Sequence, residues 1–115
     1  MSGLAGARIR DAGEAALSIE LGEGIDPAVH ERVLALDEAI NTAGIDGVRE
    51  TVPSYRALLV IYDPERMGRE ALIARLDALA PKAADLNPRE WSVPACFEGA
   101  HADDLSVVAE QTALD

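Results

Sequence analysis

The segment Tyr55–Tyr62, bounded by Pro53 on one side and by Asp63-Pro64 on the other, is apolar on both faces of an extended chain. Ala57, Leu59 and Ile61 point one way, and Leu58, Val60 and Tyr62 point the other. A strand of this kind belongs inside a sheet, with cover on at least one side. The rest of the chain has to supply both. Ala15–Leu21 alternates, with Ala15, Leu17, Ile19 and Leu21 on one side and Ala16, Ser18 and Glu20 on the other, the period of a half-buried strand. Gly47–Val52 reads as a third strand, joined to Tyr55–Tyr62 through a turn at Pro53-Ser54. Trp91–Phe97 reads as a fourth, held to an edge or interrupted by Pro94, which has no amide hydrogen to give a ladder. Ala7–Arg10 is a short additional candidate before the turn at Asp11-Ala12-Gly13.

Two longer helices are predicted between these strands. The first starts at Asp26-Pro27, a capping carboxylate ahead of a proline at the first helical position. Val29, Val33, Leu36 and Ile40 then form one apolar stripe, and Gly44 closes the helix. The second runs from about Gly68 to Ala80, with Leu72, Ile73, Leu76 and Leu79 inward, and Pro81 stops it. A short third helix is expected over Asp103–Gln111, with acids at its positive end. The main order, strand-helix-strand-strand-helix-strand, predicts an α+β fold. It fits the ferredoxin-like βαββαβ plan, an antiparallel sheet with two helices on one face.

That plan leaves one sheet face open, and the expectation places Leu58, Val60 and Tyr62 on it. An uncovered apolar strip implies a partner: another domain, another subunit or a second copy. Pro53, Ser54, Tyr55 and Arg56 form the adjoining hairpin corner, either a partner-binding edge or a solvated turn in which the Ser54 hydroxyl bonds the backbone.

Composition narrows the classes of function. The 115 residues carry ten Lys+Arg against twenty-one Asp+Glu, a net charge of −11, which argues against nucleic acid and anionic membranes as partners. The deficit is uneven: residues 96–115 hold five acids and no Lys or Arg. That end is either a solvated face, a docking surface or the remnant of something larger. Twenty-one residues are alanine and four are aromatic, so each buried side chain contributes little area and the stability margin is thin. No apolar run reaches the roughly 20 residues of a membrane span, and the first residues lack the pattern of a signal peptide. A single cysteine excludes an internal disulfide and fits a reducing, cytoplasmic setting.

Catalytic patterns are missing from the sequence. Gly22-Glu23-Gly24 lacks the third glycine and the lysine of a phosphate loop, and no nucleophile turn of the GxSxG type occurs. His30 reads as structural or solvated. His101, beside Asp103 and Asp104, is a weak candidate for a divalent ion, since acids at a helix start need no metal. Cys96, between Ala95 and Phe97 with no nearby cation, reads as a packed core thiol.

Several segments together resemble one family. Gly13–Gly22 (GEAALSIELG) is similar to the opening GDxALxVxFG of the 5-oxoprolinase small-subunit family, also called allophanate hydrolase subunit 1, which includes the sporulation-kinase inhibitor KipI. Its domain is the carboxyltransferase domain, subdomain C and D. Ile25-Asp26-Pro27 with Val33–Leu36 resembles the family's first helix, and Gly44-Ile45 with Glu50–Pro64 (ETVPSYRALLVIYDP) resembles its GI and E.VPSYRSLLVxYDP stretches. Val93–Phe97 (VPACF), Asp104-Leu105 and Val108-Ala109 are similar to IPVCYGGEFGPDLexVA. The resemblance covers about residues 8–110. Departures are Ala57 for the usual serine, Glu98 for a glycine, and Ala100–Asp103 for EFGP.

The resemblance implies a ferredoxin-like N-terminal domain over residues 1–92, with residues 93–115 an acidic stub of a cyclophilin-like domain. The chain is then either an excised domain or a naturally short relative. It also implies a homologous large subunit, or a missing C-terminal domain of its own, as partner in an assembly that hydrolyses 5-oxoproline at the expense of ATP. The chemistry lies elsewhere in that assembly, so this chain is expected to bind no cofactor and to be inactive alone. Pro53, Ser54, Tyr55, Arg56, Leu58, Val60 and Tyr62 are the expected contact residues. The alternative implied by the KipI branch is a module that binds and inhibits a sensor histidine kinase. A homodimer through the same face is a third possibility.

Overall fold

A computed structural model describes residues 2–83 and 87–113. Its elements are β1 (Arg8–Asp11), β2 (Ala16–Glu20), α1 (Pro27–Ala43), β3 (Val48–Pro53), β4 (Ala57–Tyr62) and α2 (Arg69–Asp77). A 3-10 turn at Gly99–His101 and α3 (Leu105–Thr112) follow. The four strands make one antiparallel sheet in the order β1-β2-β4-β3. The fold is therefore α+β, with β2 and β4 at the centre.

Two expectations about the sheet are corrected. The fourth strand is β1, so the order is ββαββα rather than βαββαβ. Trp91–Phe97 has no regular secondary structure and joins no sheet. The reason is local: Gly13, at φ +75°, lets the chain reverse between Asp11 and Ala16, and the hairpin fills the edge beside β2. Pro94 cannot compete for that ladder.

The second correction concerns the two faces of β4. Register pairs Leu17 with Val60 and Ile19 with Leu58, which sets Leu58, Val60 and Tyr62 on the covered side. All three are buried, in one core with Leu17 and Ile19 of β2, Val33, Leu36 and Ile40 of α1, and Leu72 and Leu76 of α2. They are beneath the helices and so unavailable as partner contacts. The open face instead carries Ala57, Leu59 and Ile61, which are half-buried.

α1 follows its predicted signals closely. The Asp26 carboxylate accepts from the Ala28 amide at 2.9 Å, Pro27 opens the helix and Gly44 ends it in the left-handed region at φ +55°. α2 ends at Asp77, three residues earlier than expected. A helix running on to Pro81 would drive the proline ring into the carbonyl four residues back, that of Asp77. The freed Asp77 carbonyl accepts the Gly3 amide at 3.2 Å, so the N-terminal segment docks on the end of α2 and buries Leu4.

Beyond Leu79 no described residue joins the core. The radius of gyration is 19.6 Å, against about 13 Å for a compact chain of this length. Residues 87–113 form an arm beside a packed body. Cys96, expected in a core, is exposed on this arm and donates to the Glu98 carbonyl at 3.3 Å.

Candidate interaction surface

Three regions of the surface bear on function. The first is the hairpin corner between β3 and β4. The Ser54 amide and hydroxyl both donate to the Ala57 carbonyl, at 2.8 and 2.9 Å, which fixes the turn as the solvated-turn reading anticipated. The Arg56 guanidinium donates to the Glu23 carbonyl, and the Leu21 amide donates to the Arg56 carbonyl at 2.9 Å. The corner is thus tied to the loop between β2 and α1. His30, in the first turn of α1, stacks on Tyr55 with ring centres 4.9 Å apart and hydrogen-bonds the Tyr55 carbonyl through Nδ1 at 3.1 Å. Tyr55 is held by this stack yet remains 41% exposed, and Ile25 on the facing loop is 90% exposed. Sequence reasoning misses His30 and Ile25 as parts of this corner. The start of α1 at Pro27 is legible, but not that its first turn lies beside a hairpin 25 residues away.

The second region is the sheet face without helices. β4 contributes Ala57, Leu59 and Ile61, β2 contributes Ala16, Ser18 and Glu20, and register adds Arg8 and Arg10 from β1 and Glu50 and Val52 from β3. Glu20 accepts from Arg8 at 2.9 Å and lies 3.4 Å from Arg10. The Arg8 hydrogen bond, helped by the charge of Arg10, holds the Glu20 carboxyl below its ordinary value. At the far end of β4, the Glu65 amide and the Arg49 guanidinium do the same for Asp63. On the helix side of β1, Arg69 pairs with Asp11 at 2.7 Å, and this hydrogen bond raises the Arg69 value. These exposed pairs each contribute little to stability.

The third region is the arm. Trp91, Val93 and Phe97 are each more than 70% exposed. Leu105, Val107 and Val108 of α3 are also exposed, and no residue of α3 is buried. Among the described residues no group of three His, Cys, Asp or Glu side chains converges as a ligand set, and His101 stays apart from such a cluster. No described helix is long and apolar enough to cross a membrane.

Known proteins share this architecture. TTHA0988 is 30% identical with a TM-score of 0.66, over 94% of this chain and 20% of that one. The Pyrococcus horikoshii protein PH0987 is 36% identical with a TM-score of 0.56, over 60% of this chain and 32% of that one. The Kluyveromyces lactis urea carboxylase, at 24% identity and a TM-score of 0.58, shares the fold over 61% of this chain and 6% of its own length. The chain therefore spans a third or less of each of these structures. Comparison with curated proteins finds no match. Residues 7–115 match the family described as carboxyltransferase domain, subdomain C and D, and the chain belongs to that family, which includes KipI and the allophanate hydrolase subunit proteins.

Proposed function

We propose that this chain is the N-terminal interaction domain of the small subunit of an ATP-dependent 5-oxoprolinase or allophanate-hydrolase-type assembly. In this reading the body is a ferredoxin-like variant whose last edge strand comes from the N-terminal side. Residues 93–115 begin the neighbouring unit, and the body itself is a scaffold. ATP and substrate are handled by other parts of the assembly, in the cytoplasm. The observation that carries the reading is the arm: Trp91, Val93 and Phe97 are apolar, presented to solvent and outside the core of the body. Side chains of this size gain about 1.5–3 kcal/mol each when covered, so the arm is built to be covered by a partner. The tethered corner at Tyr55 and Arg56 supplies a second, polar contact.

Co-expression with the homologous large subunit tests this. The two chains are expected to co-elute in size exclusion, and Trp91→Ser with Phe97→Ser to separate them. Separate elution of the unmodified chains would overturn the proposal. So would strong inhibition of a sensor histidine kinase's autophosphorylation by this chain, which would move it to the KipI type of function.

A further inference from the structure

The helix-free face of the sheet is charged at two corners and apolar between them. Arg8 and Arg10 lie at one corner, on the outer strand β1, with Glu20 between them and the sheet centre. Two guanidiniums against one carboxylate leave that corner positive. Glu50 lies on the opposite outer strand, paired in register with Ile61, whereas the Arg8 row runs through Glu20 to Ala57 at the other end of β4. The negative corner is therefore diagonally across from the positive one. Leu59 and Ile61 lie between the two, half-buried, and no described helix or strand packs over them.

A face with this pattern is complementary to itself. A two-fold axis in the plane of the contact, along the diagonal joining the uncharged corners, lays each positive corner over the partner's negative one. The contact is made twice, as any isologous interface requires. Leu59, close to that axis, meets its own symmetry mate, while Ile61, in the row of Glu50, falls on the partner's β1 side. The strands of the two sheets cross near a right angle, one of the two ways in which sheets pack. We infer that this face is an interface between two copies of the chain. Four short strands offer a patch of roughly 20 by 17 Å, well under the ~800 Å² per partner of a standard stable complex. The association is accordingly weak and reversible. It is separate from the arm, so the chain can dimerise through its sheet and hold a larger partner through residues 87–113.

Sedimentation equilibrium of the full chain, from micromolar to near-millimolar concentration, tests the inference. A mass that rises towards the dimer is expected. Leu59→Glu, on the side of β4 away from the core, should abolish the rise while circular dichroism shows an intact fold. Arg10→Glu and Glu50→Arg should each weaken association roughly tenfold or more, because each sets like charges against one another at both ends of the contact. The chain carrying both reversals should regain most of the loss, since the corners have merely exchanged sign. A monomer at every concentration would overturn the inference. Association that ignores Leu59→Glu, or a double reversal no better than the single ones, would do the same.

Discussion

The body and the arm are built from similar residues and behave oppositely. In the body, Leu17, Ile19, Leu36, Leu58 and Leu72 are completely shielded from solvent. In the arm, Trp91, Val93 and Phe97, which include the one Trp and the one Phe of the sequence, are left in water. Apolar content therefore does not decide burial. The difference lies in what each residue finds opposite it. Leu58 meets Ile19 across a strand pair and two helices above it, whereas Trp91 has no facing surface among the described residues.

The sharpest way to break this contrast is a matched pair on β4. Leu58→Asp buries an unpaired carboxylate and should cost more than about 4 kcal/mol, enough to unfold a marginal domain. Leu59→Asp, one residue on and facing away, should cost about 1 kcal/mol or less in urea titration. If the two variants behave alike, the assignment of faces is wrong.

Gly3→Ala tests how firmly the N-terminal segment belongs to the body. An added Cβ would lie 2.5 Å from the Leu76 carbonyl oxygen and 3.2 Å from that of Leu79, so backbone must move. A loss of about 1–3 kcal/mol is expected in the same titration.

Acid should act through the body as well. Glu20 and Asp63 are held below the usual carboxylate range in the folded state. Their contribution is complete above the unfolded values, near pH 4–4.5, and is lost as the pH falls through the lower folded values. Thermal melting followed from neutral pH to about pH 3 should show the midpoint falling below that range. Arg8→Gln, which removes the main partner of Glu20, should shallow the fall.

The smallest effect expected is the loss of the arm. Trypsin should cut first after Lys82 and Arg89, both exposed. The released body should melt within about 0.5 kcal/mol of the intact chain. A large drop would mean that the arm packs on the body after all.

The legible parts of the fold are those fixed by neighbours in sequence. Asp26, Pro27 and Gly44 set both ends of α1, and the spacing from Val29 to Ile40 sets its buried face. The position of β4 can be read from the sequence but its phase cannot, because a strand apolar on both sides carries no alternation. Only the pairing of Leu58 with Ile19 and Val60 with Leu17 resolves it, and register is a long-range fact. β1 is easily undervalued for the opposite reason. Arg8, Arg10 and Asp11 make it look polar, yet an edge strand needs only one inward residue, here Ile9 against Ile19. Of the interaction surface, the Ser54 turn can be anticipated from the sequence. The stack of His30 on Tyr55 cannot, since it depends on where α1 crosses the sheet.

The hairpin that completes the sheet from the N-terminal side also sets an order of assembly. All four strands have been synthesised by Tyr62 and both core helices by Asp77. Among the described residues, nothing in the core waits for a part of the arm. A chain growing from its N-terminus can therefore close the body while the arm is still being translated, as domains generally do. The exposed Trp91 and Phe97 then emerge beside a finished surface, free to meet a partner rather than compete for a place in the core.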